Sequence, residues 1–142
     1  MDDLDPGADP TCVFCQIVAG QLPSRVVRED EHTVAFLDLN PAAPGHTLVV
    51  PRRHVRTLAA ADPDTAGAVF AAASHVARLL RDRMPAQGLT VIQNNERAGG
   101  QDVFHLHVHL VPRRRGDALR RPWTPQPGDP TQLDATWKRL LS

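Results

Sequence analysis

Histidine and aliphatic residues alternate over residues 105–111, where the sequence is His-Leu-His-Val-His-Leu-Val. This period of two predicts a strand, so we expect His105, His107 and His109 to project from one face. The other face would pack against a core through Phe104, Leu106, Val108 and Leu110. Histidine changes protonation near neutral pH and acts as a nucleophile, a proton carrier or a metal ligand. Three such rings on one rigid element therefore indicate chemistry.

A metal-binding strand is the alternative interpretation of this triplet, because histidines at positions i and i+2 can converge on one zinc ion. Three rings cannot easily do so. Neighbouring positions on one face are about 6.7 Å apart along a strand, and the outer two are about 13 Å apart. At least one ring is thus available for another task, and we favour a catalytic or phosphate-facing role over a purely structural one.

Two cysteines, Cys12 and Cys15, form a Cys-x-x-Cys pair. Such a pair is consistent with a local disulfide, a thioredoxin-like redox pair or half of a tetrahedral zinc site. The redox interpretation expects a strand that leads into a helix, yet only a short polar segment with a proline precedes Cys12. For zinc, His54 and one histidine of the triplet would complete a Cys₂His₂ set.

A polar loop at 94–101 enters the histidine strand. Its glycines, Gly99 and Gly100, permit close approach of the backbone to a ligand, and the amides of Asn94 and Gln101 can donate hydrogen bonds to phosphate oxygens. The alternative is a simple hairpin turn, since the loop lacks the strand-loop-helix context of the known phosphate-binding motifs.

Several further elements must position these groups. A short helix ends at Gly20, a long helix begins at the N-cap Asp62 and stops before Pro85, and a last short helix contains Trp137. The period-two segments predict five strands, at 26–28, 33–37, 47–50, 89–93 and 103–111. We therefore expect an α+β fold, in which an antiparallel sheet packs with one long helix and short terminal helices.

Composition sets the remaining bounds. The 142 residues are 42% hydrophobic, which suits one domain, expected at 11–115 between a mobile leader at 1–10 and a C-terminal extension at 116–142. Sixteen basic and sixteen acidic side chains cancel, which argues against coating of nucleic acid or anionic membranes. We find no apolar run of membrane-spanning length and no signal-peptide pattern, so we expect a cytoplasmic protein.

The triplet, with Gly100-Gln101 before it and Pro112-Arg113 after it, closely resembles the signature of the histidine triad family of nucleotide-binding hydrolases and transferases. The segments 12–15, 35–38 and 44–51, followed by His54, are similar to the zinc-containing bacterial branch of that family. The likeness spans about residues 11–115 and implies the histidine-triad fold.

The resemblance implies a reaction in which His107 attacks the α-phosphorus of a nucleotide derivative. A nucleotidyl-histidine intermediate forms and water hydrolyses it, while His109 acts on the phosphate side. The implied substrates are purine nucleoside phosphoramidates or related nucleotide conjugates. The alternatives are a dinucleoside polyphosphate hydrolase and a zinc-stabilised nucleotide-binding module with little catalysis. Processing of nucleic acid through Arg113 to Arg121 is a third idea, which the neutral net charge disfavours.

The resemblance also assigns binding residues. A structural zinc would be held by Cys12, Cys15, His54 and His105. Asp38 matches the residue that binds the ribose hydroxyls, and Asn94 and Gln101 match groups that contact the phosphate or the leaving group. The base would lie in an apolar slot formed by Phe14, Ile17, Phe36 and Leu39.

Two further expectations follow from the resemblance. Asp102 departs from the serine or threonine that many members carry at this place, and a carboxylate pointing inward would repel phosphate and alter the leaving-group contact. The family forms homodimers through the long helix and the adjoining strand. The apolar face of that helix is equally consistent with a monomer core.

Overall fold

The computed structural model describes residues 8–119 and 125–142. Most of the expected leader and residues 120–124 of the C-terminal extension lie outside these ranges. A 3₁₀ turn at Arg97–Gly99 lies in the polar loop. The helices and strands, in chain order, are α1 (Val13–Val18), β1 (Val26–Glu29), β2 (Thr33–Leu37), β3 (Thr47–Pro51), α2 (Pro63–Arg83), β4 (Gly88–Ile92), β5 (Val108–Arg113) and α3 (Pro130–Leu141).

The five strands form one antiparallel sheet in the order β1-β2-β3-β5-β4. Every residue of β2 and β3 is buried, because helices cover both faces of the sheet centre. Alternate residues therefore enter two cores: Ala35 and Val49 pack on the α2 side, whereas Phe36 and Leu48 pack on the α1 side. The expected α+β architecture is confirmed.

Helix α2 begins and ends where the sequence predicts. The Asp62 side chain accepts a hydrogen bond from the Thr65 N–H at 2.7 Å, and Pro63 occupies the first helical position. Its buried face consists of Val69, Ala72, Ala73, Val76 and Leu80. Within the two described ranges, no helix is both long enough and apolar enough to cross a membrane.

Helix α3 packs against the same core as α2. Leu133 and Leu140 are buried in that core, and the Trp137 indole N–H donates to the Val26 carbonyl at 2.9 Å. Arg25 and Asp134 add an ion pair of 2.7 Å between the β1 end and α3. This part of the C-terminal extension is therefore joined to the sheet by both apolar and polar contacts.

The histidine strand is shorter than the sequence predicts. Strand β5 begins only at Val108, so His105 and His107 lie in the bent segment that leads into it, and the three rings do not share one strand face. Phe104 is also not a core residue. It is half-buried, and the Arg56 guanidinium lies 4.2 Å from its ring centre. Histidine and aliphatic residues alternate through this segment, but its backbone does not form the regular hydrogen bonds to a neighbouring strand that begin at Val108.

Candidate active site and zinc site

The sheet register builds the floor of a cavity. Phe36 pairs with Leu48, and Leu48 pairs with His109, so these three side chains form a row across β2, β3 and β5. Phe14 of α1 packs edge-on against Phe36, with ring centres 5.5 Å apart. Helix α1, which begins at the Cys-x-x-Cys pair, therefore forms one wall of this cavity.

This cavity has a volume of about 200 Å³. It brings together most of the predicted nucleotide-binding residues, together with Asp102, and its lining includes Phe14, Ile17, Phe36, Asp38, Leu39, Asp102, His107 and His109. A larger depression of about 500 Å³ lies between Pro44, Met84 and Pro112, and no histidine or cysteine of the described chain lines it. The chemistry of the lining, and not the size, marks the smaller cavity as the candidate active site.

His107 is oriented by one ring nitrogen, which leaves the other as the candidate nucleophilic atom. Its side chain is only 3% exposed, and its Nδ1 lies 2.7 Å from the backbone carbonyl oxygen of His105. A carbonyl oxygen only accepts hydrogen bonds, so Nδ1 carries a proton, and Nε2 is the nitrogen that carries the lone pair in the nucleophilic form of the ring. Nε2 faces the cavity rim, 3.7 Å from Oδ1 of Asp102.

Hydrogen bonds also fix the positions of the ring protons of His46 and His109. The Ala42 N–H donates to Nδ1 of His46 at 2.9 Å, and Nε2 of His46 lies 2.9 Å from Nδ1 of His109. Burial lowers the pKa of His46 to about 4, and burial with the nearby His107 lowers the pKa of His109 to about 4 as well. Both rings are neutral at pH 7, so His46 donates to His109, whose own proton then resides on Nε2.

His46 is a functional residue that the sequence analysis did not single out. It stands in the segment 44–51 that carries the family resemblance, directly before β3 and two residues before Leu48. In the sequence, the available signal was a histidine directly after Pro44-Gly45 and before a predicted strand. Only the fold buries this ring and brings it next to His109.

The two acidic side chains of the cavity differ in environment. Burial raises the pKa of Asp38, whose Oδ1 accepts the Asn40 N–H at 2.8 Å and whose Oδ2 lies 3.4 Å from Nε2 of His46. The His107 side chain is the main reason that the pKa of Asp102 falls, to about 2. Asp102 is 67% exposed and stays ionised at the cavity rim.

The four predicted zinc ligands converge beside this cavity. Nδ1 of His105 lies 3.4 Å from Sγ of Cys12 and 3.5 Å from Sγ of Cys15, and Nδ1 of His54 lies 3.2 Å from that of His105. A tetrahedral zinc with ordinary Zn–S and Zn–N bond lengths needs donor separations of roughly 3.3–3.8 Å. The observed separations of 3.2–3.5 Å lie within about 0.1 Å of this range, which fits a closed four-ligand site with no position for a reacting water. Both cysteines are free thiols, which excludes the disulfide interpretation in this structure.

A hydrogen bond outside the ligand set orients His105. Its Nε2 lies 2.8 Å from the Pro51 carbonyl oxygen and therefore donates, which directs Nδ1 toward the sulfurs. Burial raises the pKa of the Cys15 thiol to about 11, so a cation is needed to hold this sulfur as a thiolate.

Comparison with known proteins identifies the family. The sequence model of the HIT domain matches residues 19–116, which is more than half of the chain. The chain belongs to the histidine triad (HIT) family. The protein called Protein hit from Bacillus subtilis (strain 168) is 42% identical over 113 residues, which cover 79% of this chain and 78% of that protein. Adenylylsulfatase HINT3 from Arabidopsis thaliana is 32% identical over 108 residues, or 76% of this chain and 55% of that protein.

Solved HIT structures have the same fold. A Hit-like protein from Bartonella henselae superposes with a TM-score of 0.85 at 35% identity, covering 95% of this chain and 97% of that one. A zinc-bound histidine triad family protein from Mycobacterium smegmatis gives a TM-score of 0.83 at 36% identity, with 92% and 91% covered. This zinc-bound relative and the Cys₂His₂ cluster confirm the expected zinc-containing branch and a structural zinc in this HIT protein.

Two of the predicted nucleotide-binding residues do not line the HIT cavity. The Gln101 carboxamide donates to the carbonyls of Arg56 and Val103, at 2.7 and 3.0 Å, and accepts the Glu96 N–H at 2.7 Å. Asn94 is half-buried and lies 3.4 Å from the Gly100 carbonyl. In this structure the two amides hold the polar loop in shape.

Proposed function

We propose that this HIT protein hydrolyses or transfers the nucleotidyl group of purine nucleoside phosphoramidates or related nucleotide conjugates through His107. One observation carries the proposal: the hydrogen bond from Nδ1 of His107 to the His105 carbonyl, which fixes the lone pair on Nε2 at the cavity rim. A buried imidazole with one nitrogen hydrogen-bonded to the backbone and the other facing a cavity is an oriented nucleophile.

The cavity accounts for substrate binding in this proposal. The base lies between Phe14, Ile17 and Phe36, and Asp38 accepts hydrogen bonds from the ribose hydroxyls. A volume of about 200 Å³ is below the roughly 300–1,000 Å³ of typical ligand pockets, so the phosphate lies at the open histidine edge. His107 and His109 contact the phosphate there, whereas Gln101 contributes indirectly by holding the polar loop in shape.

The first chemical step is an in-line displacement. Nε2 of His107 forms a bond to the α-phosphorus while the bond from phosphorus to the leaving group breaks, and the electron pair of that bond goes to the leaving atom. The Nε2–H of His109 donates a hydrogen bond to the leaving atom, and this atom takes a proton from solvent water as its bond to phosphorus breaks, which avoids expulsion of a strongly basic anion. His46 keeps the proton of His109 on the required nitrogen.

The second step releases the nucleotide. Water attacks the phosphorus of the nucleotidyl-histidine, the N–P bond breaks and its electron pair returns to Nε2 of His107. The proton lost by this water neutralises the hydroxide that the first step left in solvent. An acceptor hydroxyl or amine in place of water would make the same step a transfer. The zinc ligands take no part in either step.

Trapping the intermediate tests the mechanism. The protein is mixed with adenosine 5′-phosphoramidate, quenched within milliseconds and analysed by mass spectrometry for an adenylyl adduct on His107. We expect His107→Ala to form no adduct and to lose at least 10³-fold in turnover, but still to bind AMP. His75→Ala, which changes an exposed histidine of α2, is the matched control and should behave as wild type.

The outcomes separate the function classes. Turnover of His107→Ala near the wild-type rate would refute the nucleophile. Nucleotide binding by the wild type without any adduct or turnover would instead support the zinc-stabilised binding module.

We also propose a homodimer. Strand β4 is an edge of the sheet, and Val91 on it is 49% exposed, while Phe70 on α2 is 41% exposed. Val69 and Ala73 are used by the monomer core, so α2 would offer only the Phe70 side of its apolar face. Sedimentation equilibrium should give twice the chain mass, and Val91→Lys should shift it toward the monomer.

A further inference from the structure

The candidate active site is negatively charged where the leaving group must depart. Two carboxylates, Asp38 and Asp102, line the cavity, and among the residues that the structure describes no lysine or arginine joins them there. The remaining titratable groups of the lining are the rings of His107 and His109. A polyphosphate leaving group would therefore meet no positive side chain from the described part of the cavity wall.

We propose that Asp102 selects the leaving group by charge, favouring amines that carry a positive charge and rejecting anionic leaving groups such as polyphosphates. This inference rests on the proposed function and names the substrate class within it. Asp102 is a specificity-determining residue in this view, and it takes no part in bond making.

The position of Asp102 carries the argument. Its Oδ1 lies 3.7 Å from Nε2 of His107, the attacking atom, and the same oxygen accepts the Val103 N–H at 2.9 Å. An oxygen so close to the nucleophile lies within a few ångströms of every group bound to the reacting phosphorus. All nucleotide substrates share the phosphoryl group, so its repulsion by Asp102 is the same for each of them. Asp102 therefore discriminates through the leaving group, which is the part of the substrate that varies.

Exposure sets the size of the effect. Asp102 is 67% exposed at the cavity rim, so water screens its charge, and one unit of leaving-group charge at about 5 Å changes the rate by roughly threefold to fourfold. The two units of charge that separate a cationic from an anionic leaving group therefore change the rate by roughly tenfold. Its low pKa keeps it ionised throughout the neutral range.

The test uses three phosphoramidates of adenosine 5′-phosphate with the same P–N bond and similar chain length. Their amines are 1,3-diaminopropane, propylamine and β-alanine, whose far ends are cationic, neutral and anionic. The wild type should show kcat/KM about tenfold higher for the diamine conjugate than for the β-alanine conjugate. In Asp102→Asn the ratio should fall to within about threefold, because the amide keeps the Oδ1 acceptor for Val103 but lacks the charge.

The matched control is Asp64→Asn, which removes one negative charge from the exposed first turn of α2 and should keep the wild-type ratio. A ratio unchanged by Asp102→Asn would overturn the inference. An equal loss of rate for all three substrates would also overturn it, since that result indicates a role in the common chemistry.

Binding separates this inference from the proposed function. In a His107→Ala background, titration calorimetry with the three conjugates should show the same charge preference, reduced by Asp102→Asn. If the propylamine conjugate gives neither turnover nor a His107 adduct in the wild type, the proposed function fails, while the calorimetric preference still confirms or refutes the charge selection. A tenfold preference for diadenosine tetraphosphate over the propylamine conjugate would refute it directly.

Discussion

At the residue scale, hydrogen bonds assign a different role to each histidine of the triplet. His105 donates through Nε2 to Pro51, so that Nδ1 faces the other zinc ligands, whereas His107 donates through Nδ1, so that Nε2 faces the cavity. His109 accepts from the His46 side chain and keeps its proton on Nε2. Three identical side chains thereby become a metal ligand, a candidate nucleophile and a candidate hydrogen-bond donor.

The contact between His46 and His109 gives a prediction at this scale. His46→Gln removes the hydrogen bond that fixes the His109 proton on Nε2, so hydrogen-bond donation to the leaving atom should weaken. We expect adduct formation from the propylamine conjugate to slow roughly 10- to 100-fold, with little change in AMP affinity. Single-turnover quenched-flow kinetics measures this rate.

A good leaving group provides the control for that variant. The 4-nitrophenyl ester of AMP expels an anion that needs no proton, so its rate should fall less than threefold in His46→Gln. Equal losses for both substrates would show that His46 only maintains the structure of the cavity and does not position the proton.

At the element scale, short turns fix which strand faces meet. The β1–β2 turn is held by Asp30, whose Oδ1 accepts the N–H groups of His32 and Thr33, both at 2.8 Å, and whose Oδ2 pairs with Arg28 at 2.8 Å. This turn sets the pairing of β1 with β2, and β2 carries Phe36 into the cavity floor. The polar turn therefore helps to set the β1–β2 register, although it lies at the opposite end of the hairpin from Phe36.

Asp30 gives a stability prediction with a defined pH dependence. Burial alone would raise its pKa, but the hydrogen bonds from His32, Arg28 and Thr33 outweigh burial and lower the pKa to about 2. The folded pKa lies below the unfolded value of about 3.9, so the stabilisation is present above pH 4 and is lost as the pH falls toward 2. Asp30→Ala should cost about 1 kcal/mol at pH 7 and almost nothing near pH 2.

Urea unfolding of wild type and variant between pH 2 and pH 7 measures this difference. Glu31→Ala is the control, because the Glu31 side chain is 83% exposed and its partner in the turn is the likewise exposed ring of His32. A cost for Asp30→Ala that stays constant across this range would contradict the assignment.

At the scale of the whole molecule, the zinc site joins distant segments. Cys12 and Cys15 flank the first turn of α1, His54 follows β3 and His105 precedes β5. Phe14, between the two cysteines, contacts the rings of both His105 and His107, at 5.9 and 5.1 Å between centres. The metal site thus fixes the helix that forms one wall of the nucleotide cavity.

Removal of zinc should therefore affect both stability and nucleotide binding. We expect Cys12→Ser to lose the metal, to lower the free energy of unfolding by roughly 3 kcal/mol and to weaken AMP binding as α1 detaches. Elemental analysis, thermal unfolding and calorimetry measure these effects. The wild type should hold one zinc per chain, and chelation should reproduce the variant until zinc is restored. A chelated protein with unchanged melting temperature and AMP affinity would contradict a structural role.

Local patterns in the sequence predicted the elements and the ligand types. Period-two and helical patterns, the Asp62 cap and the turn residues gave the antiparallel sheet and the long helix. These signals are local, since each depends on residues within one or two turns or strands. The family resemblance added the zinc set and the candidate nucleophile, because both are carried by short motifs.

Long-range contacts in the folded chain set the geometry between those motifs. They begin the histidine strand only at Val108, bring His46 to His109 across two strands, and hold Gln101 in the polar loop, away from the cavity. They also place Asp102 beside His107 at the rim. These contacts depend on strand register and on which backbone carbonyl each side chain meets, and neither is encoded in the spacing of residues along the chain.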